Sequence, residues 1–217
     1  VGLLLATPIM HWLAAVNGPV DQFNQTLLLQ APAGVSEADV VLLVQALLDR
    51  HATLRLRAST GGPSEGWILE TRPSGSISAR GCVQSVAVLS DEALVQARLW
   101  LDPPGGVMLH ALWITGTSRL VVMIHHLAVD AVSWQVMLAD LNTAWAQLRA
   151  GRPVSLALRG TSFRRWSAAL SEHAHRPEVV ALAGIWRQIA ATPPVLPPVN
   201  PAVDTHANAG QLSASLD

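Results

Sequence analysis

The residues with the most chemical capacity are grouped in one decapeptide, His125-His126-Leu127-Ala128-Val129-Asp130-Ala131-Val132-Ser133-Trp134. An imidazole titrates near neutral pH and suits general-base work, and a carboxylate close by can hold the loop or fix the ring's tautomer. The segment falls where an apolar run ends and a helical pattern begins, so these side chains stand on a strand-end loop, a common seat of catalytic groups over a rigid sheet. Neighbouring strand residues point to opposite faces, so His125 and His126 cannot both serve one cleft. One histidine is then the acid/base group and the other its support. The competing reading is that both are satisfied polar residues at a strand end. A metal would need another converging ligand, and none of the remaining histidines has a suitable spacing to the pair, so no metal site is expected. Ser133 sits between Val132 and Trp134 without the glycines of a nucleophile elbow, which argues against a serine hydrolase.

These groups need a sheet to carry them. Two apolar segments, 107–114 and 119–125, flank Thr115-Gly116-Thr117-Ser118 and read as a hairpin at its heart. Leu54, Leu56 and Ala58 alternate with Arg55, Arg57 and Ser59, which predicts a half-buried strand; 24–31, 67–71 and 82–89 read as further strands, with a turn at Gly61-Gly62-Pro63. Behind Ser36 and Asp39, the residues Val40, Val41, Leu43, Val44, Leu47 and Leu48 recur at three- and four-residue spacing, a capped helix to about His51 with one buried face. Thr7-Pro8 starts a short helix over 9–16 that Asn17-Gly18-Pro19 stops. Ser90 opens another that Pro103-Pro104 ends, and 132–150 is helical with Gly151 at its C-terminal cap. Helices follow near 162–175 and 178–191. Trp12, Trp113, Trp134, Trp145, Trp166 and Trp186 lie on apolar segments and read as core. Five prolines between Thr192 and Pro201 exclude helix and central strand, which makes this stretch a linker, and alternation returns over 211–216. Residues 1–191 therefore read as one mixed α/β unit with a central mixed sheet and flanking helices, 192–208 as a Pro-rich linker, and 209–217 as the opening of a further lobe.

Composition narrows the function classes. The 217 residues are 50% hydrophobic and 13% charged, with a net charge of −1 and no lysine, which excludes a disordered chain. It also removes the basic face a nucleic-acid binder needs. Cys82 is alone, so neither an intrachain disulfide nor a thiolate zinc cluster can form, and a reducing cytoplasm is the expected compartment. The apolar stretch 1–16 lacks a positively charged start and is broken by Thr7, Pro8 and His11, which argues against a secretory leader. No run approaches the ~20 apolar residues of a membrane span. Because the chain begins at Val1, it is expected to be a piece of a longer protein.

The His-His-x-x-x-Asp segment resembles the signature of chloramphenicol-acetyltransferase-like acyltransferases, which include the condensation and epimerization domains of nonribosomal peptide synthetases. Within that group Val129-Asp130-Ala131-Val132-Ser133-Trp134 is similar to the epimerization branch. So is Thr7-Pro8-Ile9-Met10-His11-Trp12, which resembles its opening motif with Met10 in place of glutamine, and Phe23-Asn24-Gln25 falls where that branch commonly carries Phe-Asn-Gln. The resemblance implies a chloramphenicol-acetyltransferase-like two-layer sandwich, one lobe of a pseudo-dimer. It further implies epimerization from L to D at the Cα of an aminoacyl or peptidyl thioester, carried on the phosphopantetheine arm of a peptidyl carrier protein, with no cofactor of the domain's own. His126 would be the acid/base group, His125 its neighbour, and Asp130 a structural residue paired to Arg55 of the His-x-x-Leu-Arg stretch; Ser133 and Trp134 flank the motif. Partners would be the carrier protein, adjacent synthetase modules and a C-terminal lobe absent from this chain, which would supply a glutamate opposite the histidine. The fragment alone is then expected to be inactive. Ala131 stands where the motif usually has glycine. Alternatives are a condensation domain joining two carrier-bound substrates, and a non-catalytic carrier-docking remnant.

Overall fold

The computed structural model describes residues 2–16, 20–60, 66–157, 160–195, 197–200, 202–210 and 212–214. The readings at Asn17-Gly18-Pro19 and Gly61-Gly62-Pro63 lie outside these, as does most of the strand expected over 211–216, and residues 212–214 carry no regular structure. The described residues gather into two compact units, 1–172 and 173–217.

In the first unit β1 (Gly2–Leu4) precedes α1 (Pro8–Ala14), β2 (Asn24–Gln30), α2 (Glu37–Arg50), β3 (Leu56–Thr60), β4 (Trp67–Thr71), β5 (Val83–Val86), α3 (Asp91–Leu99), β6 (Leu109–Ile114), β7 (Arg119–His125) and α4 (Ala131–Arg149). A further helix, α5 (Phe163–Ala174), runs into the second unit, which also holds α6 (Pro177–Val180) and α7 (Ala183–Ala190). The single helix expected over 178–191 is thus two. The fold is α/β with the expected central mixed sheet and flanking helices, and the strands outside that sheet form a second, smaller one. β1, β4 and β3 form a three-stranded antiparallel sheet, while β2-β7-β6-β5 is a four-stranded sheet, mixed because β5 runs parallel to β6. Ala52–Arg55 form a 3-10 turn that delays β3 to Leu56 and directs it to β4 rather than to the central hairpin.

Every residue of β6, and all of β7 after Arg119, is buried, as expected of strands covered on both faces. Leu109, Ala111 and Trp113 of β6 and Leu120, Val122 and Ile124 of β7 join the main core, which α2 and α4 cover. Leu112, Ile114, Val121 and Met123 face the other way, onto Ala93, Leu94 and Ala97 of α3. α2 buries Val40, Val44, Leu47 and Leu48 behind a capping box in which the Asp39 amide donates to Ser36 Oγ (3.2 Å) and the Ser36 amide to the Asp39 carboxylate (2.9 Å). α4 ends in a Schellman arrangement: the Gly151 amide donates to Leu148 O and the Arg152 amide to Gln147 O, with Gly151 at φ +65°, where a side chain would be strained. The tryptophans divide. Trp113 is core and Trp134 packs against it, whereas Trp12, Trp166 and Trp186 are each about half or more exposed, which corrects the core reading for those three.

Candidate active site

The site is assembled where β7 ends. β2 pairs with β7 in a register that sets Asn24 opposite His125 and Gln25 opposite Ile124. Alternation therefore sends His125 to the α3 face with Val121 and Met123. His126, continuing the series Leu120, Val122, Ile124, lies on the α2/α4 face, the face that Gln25 shares with Leu29 of β2. The expected divergence of the two histidines is what the strand produces.

Their surroundings differ accordingly. His125 is fully buried. Its Nε2–H donates to Val20 O at 2.9 Å, and its Nδ1 accepts the Leu127 amide at 3.2 Å. Burial holds the ring below the ordinary imidazole range, against the opposing pull of Val20 O and Asp21. With both nitrogens committed, His125 ties the strand end to the loop before β2 and cannot exchange protons with a ligand. His126 is half-buried, and its amide donates to Phe23 O at 2.8 Å while its ring stacks on Phe23, centroids 5.0 Å apart. Nδ1 lies 2.9 Å from Val129 O, which can only accept, so Nδ1 carries a hydrogen. Nε2 meets the Gln25 side-chain amide at 3.1 Å, and Gln25 Oε1 in turn accepts from Trp134 Nε1–H at 2.8 Å.

Asp130 is the N-cap of α4. Its Oδ1 accepts the Ser133 amide (2.8 Å) and the Ser133 hydroxyl (2.6 Å), and the Asp130 amide donates to Ser133 Oγ (3.3 Å). These bonds, the Ser133 hydroxyl first, hold the carboxyl below its usual range, with a smaller contribution from His126. The expected Arg55–Asp130 pair is corrected. Arg55, 5% exposed, spends its guanidinium on carbonyls: Nε–H donates to Arg72 O (3.1 Å), and an Nη1 group donates to Leu48 O and to Asp49 O (2.9 Å) at the C-terminus of α2. A buried cation is there satisfied by the negative end of a helix, whereas Asp130 sits exposed at the positive end of another. Asp130 serves instead as the cap of α4. Ala131 is the first residue of α4 and does not take a positive φ, so the missing glycine costs the loop nothing.

Two features of the site escape a reading of the sequence alone. The first is the role of Gln25 within Phe23-Asn24-Gln25; its alternation with Leu27 and Leu29, which sets a polar side chain on an apolar face, is the signal that marks it. The other is a cleft of about 250 Å³ beside the loop, lined by His51, Thr53, Asp130 and Ser133 among others. His51 Nε2 is 2.9 Å from Asp140 Oδ2, and burial keeps its imidazole low despite that carboxylate. Among the described residues no three metal-ligating side chains converge, and no helix is long and apolar enough to cross a membrane.

Comparison with known proteins identifies the family. The Condensation domain family matches residues 93–217, more than half of the chain and the whole of the His125–Trp134 segment. The chain belongs to the condensation-domain family. As a condensation-domain relative, it is 31% identical over 229 residues to a linear gramicidin synthase of Brevibacillus parabrevis, covering 97% of this chain and 3% of that protein. It is 30% identical over 233 residues to chondramide synthase cmdD of Chondromyces crocatus, covering 99% and 6%. Among solved structures, the epimerization domain from the third module of tyrocidine synthetase B superposes with a TM-score of 0.77 at 24% identity, over 90% of this chain and 46% of that one. The first condensation domain of the calcium-dependent antibiotic synthetase superposes at 0.70 and 16% identity, over 89% and 49%. The condensation-domain chain thus spans a few per cent of these synthases and just under half of the solved domains.

Proposed function

We propose that this lobe contributes the base of a Cα epimerization, acting on an aminoacyl or peptidyl thioester presented by the phosphopantetheine arm of a carrier protein. The observation that carries the reading is the setting of His126: a half-buried imidazole whose Nδ1 is fixed on Val129 O, leaving Nε2 as the atom that faces the Gln25 amide and would act as the base. Nε2 would take the Cα proton, and the resulting imidazolium would keep its Nδ1–H bond to the Val129 carbonyl. The thioester carbonyl gathers negative charge as the proton leaves and needs a donor; return of a proton on the opposite face completes the inversion. That donor and the opposite-face group belong, in this reading, to a second lobe beyond a linker over 192–208. His125 and Asp130 position rather than react, the first by anchoring the strand end and the second by capping α4.

Epimerization is preferred to condensation because the residues similar to the epimerization branch, Gln25 and Trp134, are those bonded in series onto His126. The test is to load the carrier of the intact synthetase with an L-aminoacyl thioester, release the amino acid and resolve its enantiomers. Wild type should yield an L/D mixture and His126→Ala only L. A peptide product with no D-amino acid would assign condensation, and wild type inert in both assays would assign a docking lobe.

A further inference from the structure

We propose that Gln25, held by Trp134, is a positioning residue that keeps His126 in its lone-pair form at Nε2. The catalytic consequence of this rests on the reading of His126 as the base; the positioning itself does not.

The two ends of a four-group chain each fix one ring nitrogen, and together they specify the tautomer. At one end Trp134 Nε1–H can only donate, so the side-chain atom it meets at 2.8 Å is the Gln25 oxygen, and the Gln25 NH2 is thereby turned toward His126. An NH2 can only donate, so His126 Nε2, 3.1 Å away, must present a lone pair. At the other end Val129 O can only accept, so Nδ1 must hold the hydrogen. The amide N–H stands at Nε2 in the place of an acidic hydrogen about to be taken. It matches the lone-pair ring and has nothing to offer an Nε2–H. Inverting the amide to accept from such an N–H would set the NH2 against the Trp134 donor, so Trp134 opposes the flip. The Phe23 stack, 19° from parallel, keeps the ring in the plane where this geometry holds. The groups come from three elements: Gln25 from β2, His126 from the end of β7, and Trp134 from the first turn of α4 that Asp130 caps.

The test uses the 217-residue chain labelled with 15N-histidine, with His126 assigned through a His126→Asn variant and two-bond 1H–15N correlations recorded at neutral pH. Wild type should show a protonated-type Nδ1 and an unprotonated-type Nε2. Gln25→Glu, which can accept from both Trp134 and the ring, should turn both His126 nitrogens protonated-type with an unchanged far-UV circular dichroism spectrum. Gln25→Met keeps the length without the amide, and should move the Nε2 signal alone. In the intact synthetase, Gln25→Met should lower kcat for D-product formation by about 10–100-fold with KM within about twofold of wild type. His126 signals that stay put in both variants would overturn the positioning, and a Gln25→Met enzyme that forms D-product with wild-type kcat would overturn its catalytic consequence. A wild type that forms no D-product would instead refute the epimerization reading and leave the spectroscopic result standing.

Discussion

The two faces of the β6–β7 hairpin carry histidines in opposite circumstances. On the α3 face His125 is fully buried with both nitrogens bonded, and His110 is 2% exposed with neither nitrogen bonded, lying under Trp100 at 5.5 Å. On the α2/α4 face His126 is half-buried, bonded at both nitrogens, and held at Nε2 only by a side chain that a ligand can displace. Burial makes the first pair parts of the fold. Partial exposure with one replaceable contact leaves the third open to a ligand.

Substitutions should separate the faces. The largest effect belongs to His126→Ala, which should cut D-product formation by about 10²–10⁴-fold while leaving stability within about 1 kcal/mol, measured by enantiomer analysis and urea unfolding. His125→Ala should do the reverse. It leaves Val20 O and the Leu127 amide unpaired around a cavity and should cost about 3–5 kcal/mol, with activity per folded molecule retained. Should His125→Ala abolish turnover in protein shown to be folded, the division of roles would fail.

His110 gives the α3 face a pH signature. Burial pushes its imidazole down to about 4 from 6.5. Between those values the unfolded chain binds a proton that the folded chain refuses. The contribution is therefore whole above pH 6.5 and falls as the pH drops toward 4, by on the order of 3 kcal/mol. His51 and His125, held low first by burial, act in the same direction. His110→Phe, which keeps the ring stack on Trp100, should flatten this part of the stability–pH curve; an unchanged curve would mean that the buried ring is not neutral. The smallest effect is expected at Asp130→Ala, about 1 kcal/mol for the lost α4 cap, with no further loss when combined with Ser133→Ala because the two share one capping box.

The part of the site governed by strand parity was legible in the sequence. A hairpin over 107–125 and a helix from 132 were enough to set His125 and His126 on opposite faces, and the structure keeps that geometry. What depends on partners distant in sequence was not. Arg55 is the exception: Leu48 and Asp49 lie only seven and six residues before it, but the 3-10 turn over Ala52–Arg55 that brings its guanidinium back to the end of α2 leaves no pattern in the sequence. The bond between Gln25 and His126 joins residues 101 apart and exists because β2 pairs with β7 in one register. The parallel pairing of β5 and the separate β1-β4-β3 sheet are likewise choices among strands whose local patterns look alike. Trp12, Trp166 and Trp186 failed as core because an apolar segment shows that one face will be covered, not which residues lie on it.

The most direct measurement of the central claim is solvent exchange at the substrate Cα. The carrier-bound L-aminoacyl thioester is incubated with the intact synthetase in D2O, and deuterium in the released amino acid is measured by mass spectrometry. Wild type and folded His125 variants should incorporate deuterium at Cα, and His126→Ala should incorporate none above the enzyme-free rate. Incorporation by His126→Ala at the wild-type rate would show that the proton leaves to some other base.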